Sequence, residues 1–154
     1  MIELSIKLNN EIMENLSFNN VNASWVELHV LTDKWKSDLE FYSFELGFLH
    51  KLIDKYYIWL TNDELINEVE GAASRVFAAN KSRDFLAMKT LQHLRHLEEI
   101  MENEFSFDAQ QFRKEHEDLE NKLVVFYKNF KLLKKEVFSL TEQVLEGDSV
   151  GEYI

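Results

Sequence analysis

From residue 21 to residue 60 apolar or tolerated residues recur with alternating steps of four and three: Val21, Trp25, Leu28, Thr32, Trp35, Leu39, Tyr42, Leu46, Leu49, Ile53, Tyr56 and Leu60. Such a heptad seam is the signature of a helix that buries one stripe against neighbouring helices. Ser24 followed three residues later by Glu27 has the spacing of a capping box, in which each side chain satisfies a backbone N–H of the other, so the first helix is expected to begin there. Thr61 with Glu64 and Asp108 with Gln111 repeat that spacing and mark two further starts. The last segment carries its own seam, Phe112, His116, Leu119, Leu123, Phe126, Phe130, Leu133, Val137, Leu140 and Val144, and Gly147 stands where a C-terminal stop is expected.

The middle segment is less regular, because its apolar run lapses between Asn80 and Asp84 before resuming at Phe85. With no Gly or Pro in the lapse, the expectation is one continuous helix from 62 to about 103 with a polar layer of Asn80, Arg83 and Thr90. The turn near Thr61–Asp63 and the loop Glu104–Phe107 are short, and short connections make antiparallel neighbours. The predicted architecture is therefore all-α: three long antiparallel helices in an up-down-up, coiled-coil-like bundle, each roughly 37 to 42 residues long. Residues 1–22 alternate like a strand at Ile2, Leu4, Ile6 and Leu8 and follow helical spacing at Ile12, Met13 and Leu16, so they are taken as a short N-terminal arm. The bundle is assigned to 23–147, and 148–154 to a flexible tail.

Composition sharpens this picture at a few points. The 154 residues include no proline, no cysteine and four glycines, which favours long uninterrupted helices and excludes disulfides and thiolate chemistry. A formal net charge of −11 argues against nucleic-acid binding and against anionic membrane surfaces, both of which are recognised through clustered Lys and Arg. The first residues carry Glu3 and Glu11 and lack the basic-then-apolar order of a secretory signal, so a cytoplasmic location is expected. The string WVELHVLTDKWKSDLEFYSFELGFLHKLIDKY, with HLRH and KEHEDLE further on, resembles a group of uncharacterised small bacterial helical-bundle proteins. The resemblance covers mainly the first helix and implies no function. Ferritin-like di-iron bundles place Glu three residues before His, and those positions here are Val26, Gly47, Thr90, His93 and Arg113, which disfavours that family.

No phosphate-binding glycine loop, nucleophile elbow or HExxH motif is present, and the function expected is non-enzymatic. Two constellations remain. Phe41, Phe44 and Phe48 lie on the side of the first helix opposite its seam, where a bundle helix should be polar, and they predict an interface for a homodimer or another protein, or cover by the arm. The lysines 128, 131, 134 and 135 are read instead as a solvated face compensated by Asp38 and Glu45.

The second constellation is the histidines. Folding the chain at its two turns brings His29 level with about residue 94 and His96 level with about residue 116. The alternative function is thus a metal-binding bundle in which His29, His93 and His116 converge, with His96, Asp33 and Glu120 as further ligands or as carboxylates that orient the imidazoles. No cofactor is expected under the first reading; a transition metal such as zinc or iron suits the nitrogen and oxygen donors of the second.

Overall fold

The structure, a computed structural model, describes residues 23–58, 63–102 and 108–152. They form three helices packed against one another: α1 (Trp25–Tyr57), α2 (Asp63–Glu102) and α3 (Ala109–Glu152). No strand occurs among the described residues, and no helix among them is long and apolar enough to cross a membrane. The arm expected at 1–22 and the start expected at Thr61 lie outside the described residues.

α1 starts where its capping box requires. The Glu27 backbone N–H donates to Ser24 Oγ at 3.2 Å, and the Ser24 N–H donates to Glu27 Oε2 at 3.1 Å, so two groups that a bare helix end would leave unpaired are satisfied. At the start of α3, Asp108 Oδ1 accepts from the N–H groups of Gln110 and Gln111. The expected reciprocal bond is not found among the described residues; the Gln111 Nε2 donates forward to Glu115, one turn along the helix. α3 also runs past Gly147 to Glu152, and so overrides both the stop expected at Gly147 and the tail expected from 148. A glycine ends a helix when it takes a left-handed conformation; here no described glycine has a positive φ, and a helical glycine costs only about 1 kcal/mol relative to alanine. The helices are consequently unequal, at 33, 40 and 44 residues, rather than matched.

α2 is continuous across the polar lapse. Asn80 Nδ2 returns a hydrogen bond to the Val76 carbonyl, and Arg83 Nη1 reaches across to the Leu39 carbonyl of α1 at 3.0 Å while its other nitrogens hold Asp84. The lapse is thus a place where polar side chains fasten two helices together.

The seams of α1 and α3 bury as their spacing predicts. Trp35, Leu39, Leu46, Leu49 and Leu123 are fully buried, and an aromatic group holds the middle of the bundle, with the Tyr42 ring 4.7 Å from Phe130, 5.2 Å from Tyr127 and 5.4 Å from Phe126. Burial, followed by the nearby Asp38 and Glu45 carboxylates, pushes the Tyr42 phenol up to about 12. Truncating a leucine of this layer to alanine costs about 2–5 kcal/mol, a large part of the stability of a domain this size. Between α1 and α3, Lys134 Nζ sits 3.0 Å from Glu45 Oε2, as expected of the compensated lysine face.

Candidate functional site

Near the end of the bundle where α1 begins, the core changes from hydrocarbon to polar groups. Heptad spacing turns Thr90, His93 and Leu97 of α2 inward, and it turns Phe112, His116 and Glu120 of α3 toward them. His93 Nε2 and His116 Nδ1 meet at 2.8 Å. Each ring lies against another aromatic: His93 stacks on Phe112 with centroids 4.4 Å apart, and His116 stacks on Trp35 of α1 at 4.6 Å. All three helices therefore contribute to one enclosure.

Electrostatics follow from that enclosure. Burial lowers His93 to about 4, with Glu115 opposing the shift and His96 adding to it. Burial likewise lowers His116 to about 3, reinforced by His93 and Arg113. Both imidazoles are neutral near pH 7, where one ring donates and the other accepts. Among the described residues His116 Nε2, Trp35 Nε1 and Thr90 Oγ1 have no hydrogen-bond partner, and Glu120 is buried alongside them.

The expected ligand set is only partly assembled. His93 and His116 come together, whereas His29 is occupied elsewhere, with its Nε2 3.4 Å from Glu98 Oε1. His96 lies on the outer side of α2 with its ring edge-on to Phe112 at 5.1 Å, and Asp33 faces solvent. No group of three or more His, Asp or Glu side chains among the described residues is placed to hold a metal ion. The expected convergence of three histidines is replaced by a contact between two, each ring already engaged by an aromatic partner.

The phenylalanine face has a different character. Phe41, Phe44 and Phe48 are 52%, 79% and 52% exposed, so two of the rings are half uncovered and the central one stands almost free. Val26 and Val30, 60% and 65% exposed, continue the stripe toward the helix start. An apolar ridge on the outside of a helix that already buries nine residues on its other side has no folding role within the described chain.

A feature that the sequence pattern did not indicate is an open groove of about 720 Å³ between α2 and α3. Leu86, Phe126 and Phe130 lie in it beside the exposed Phe85, Val125 and Leu132, and Arg75 and Glu136 close one end with a bidentate ion pair. A small cavity lies between Ile53, Val69, Val137 and Val144. Neither is lined by the histidine pair. Exposed residues outside the seams were the available signal for the groove, but periodicity alone assigns them to no neighbour. Compared with known proteins, the chain matches no family model, no curated protein and no solved structure.

Proposed function

We propose that this chain is a non-enzymatic interaction module, an acidic helical bundle that self-associates as a homodimer through the outer face of α1. The observation that carries the reading is the exposed ridge of Phe41, Phe44 and Phe48. Large aromatics rank among the strongest anchors of protein interfaces, and exposed apolar patches of this kind mark association sites. The ridge would contribute about 700 Å² of buried surface in a symmetric pair, roughly half of a standard interface. The polar core supports the same reading: its histidines are neutral, stacked and shut away from the groove, an arrangement that stiffens a scaffold without presenting a reactive group.

Sedimentation of the full chain at micromolar concentration tests it, with a dimer mass as the expected result. Phe44→Glu places a charge at the centre of the ridge and should shift the mass to that of a monomer with unchanged helical circular dichroism. A monomeric parent chain would remove the reading.

A further inference from the structure

Gly47 is the unexplained residue of α1. It lies inside a helix, where glycine costs about 1 kcal/mol relative to alanine, and no described glycine has a positive φ that would require it. Nor does packing among the described residues require it, because a Cβ built at Gly47 meets nothing among them within 4 Å. Gly71 of α2 differs, since a Cβ there would come within 3.2 Å of the Arg75 guanidinium. The missing side chain at Gly47 therefore lowers the surface beside Phe44 and Phe48 for something outside the described chain.

The charges on the same face say what that is. At about 100° per residue, Asp33, Phe41, Phe44, Phe48, Lys51 and Lys55 fall within one arc of roughly 80°. The arc is acidic before the ridge and basic after it, and neither Asp33 nor Lys51 forms an ion pair among the described residues. Phe44 lies midway between Asp33 and Lys55, and within half a residue of the midpoint of Phe41 and Phe48. A face with that arrangement complements itself when reversed end to end. Parallel pairing would instead set Lys51 against Lys51 and Asp33 against Asp33.

Resting on the self-association reading above, we propose that two copies pack α1 against α1 antiparallel, about a two-fold axis at Phe44, with Phe41 of each copy against the partner's Phe48 on one flank, the two Gly47 residues on the other, and Asp33 opposite the partner's Lys55. Such an interface is isologous and closes at two copies. The glycines let their flank of the two helices close up, and the reversed charges set the direction.

Because the chain has no cysteine, single labelling sites are clean. Ser43→Cys and Ser37→Cys variants carrying a nitroxide report distances between copies in the full-length dimer. Ser43 is next to the axis, so its labels should be close, at about 10–15 Å, whereas Ser37 labels should be separated by about 21 Å along the helix as well. Gly47→Leu should weaken dimerisation at least about tenfold with helix content unchanged. Lys55→Glu should weaken it, and adding Asp33→Lys to the same chain should restore it. A dimer with short distances at both labels is parallel and overturns this proposal while the self-association reading stands. Long distances at both, as when the ridge of one copy sits in the α2–α3 groove of another, also overturn it. A monomer at every concentration overturns both.

Discussion

His93 Nε2 and His116 Nδ1 are 2.8 Å apart in the core of the bundle; their bond needs a lone pair on one of the two facing nitrogens, which double protonation removes, and burial disfavours even a single charge on the pair. The folded values, about 4 for His93 and about 3 for His116, lie below the ordinary histidine value of 6.5, so the unfolded chain binds more protons between them. The stability contributed by neutrality is complete above about pH 6.5 and is lost as pH falls toward the folded values. Glu115 opposes the shift at His93, while His96 and Arg113 add to the shifts. Each histidine contributes a slope of up to about 1.4 kcal/mol per pH unit within that window. Urea unfolding at pH 7.5, 6.5 and 5.5 should show a fall in the parent chain that the double variant His93→Leu, His116→Phe lacks. Parallel pH profiles for the two would refute it.

Replacing His116 separates shape from hydrogen bonding. His116→Ala opens a cavity beside Trp35 and strands the His93 nitrogen, so it should cost about 3 kcal/mol. His116→Phe strands the same His93 nitrogen but keeps the stacked ring and removes the unpartnered Nε2, so its cost should be about 1–2 kcal/mol, below that of alanine. Equal destabilisation by the two would mean that the bond to His93, rather than the ring, holds the site.

Two buried threonines should respond in opposite ways. Thr32 Oγ1 donates to the Leu28 carbonyl at 2.7 Å, whereas Thr90 Oγ1 is buried without a partner. Valine has the same shape, so Thr90→Val should stabilise the fold by about 1 kcal/mol and Thr32→Val should be neutral or mildly destabilising. Thermal midpoints measured together decide this, and a loss at Thr90 would point to an internal water or other partner there.

The Lys134–Glu45 pair is 17% and 14% exposed, well short of the solvation that makes surface pairs nearly worthless. Glu45→Gln leaves the ammonium half-buried beside a neutral amide and should cost about 1–2 kcal/mol, read from the urea midpoint. A change under about 0.3 kcal/mol would show that the ammonium swings out to water.

How far these features can be read from sequence depends on what a periodic pattern encodes. The α1 and α3 seams were legible because every third or fourth residue must face the same way, and the Ser24 cap was legible because its partners are three residues apart. Antiparallel folding also gave the correct height for His93 and His116. Height carries no azimuth, however: His29 follows the buried Leu28 by one residue, a rotation of about 100°, and so it turns toward Glu98 and away from the pair. The reach of α3 beyond Gly147 was hidden because glycine is a stop only through the conformation it adopts, and the α2–α3 groove was hidden because it depends on how two helices splay.

The histidine pair also distinguishes one alignment of the helices from its near copies. An apolar heptad seam is almost indifferent to a slide of seven residues, about 10.5 Å, since leucine then meets leucine again. His93 and His116 do not repeat. After such a slide each imidazole would face hydrocarbon with its nitrogens unsatisfied, at a cost of several kcal/mol, so α2 and α3 have one position along each other in which the two rings satisfy one another. The pair thus acts as an index mark on two otherwise self-similar ladders, beside the Arg75–Glu136 ion pair, and a chain carrying leucine at both positions would keep its helices while losing one of these means to tell one alignment from the next.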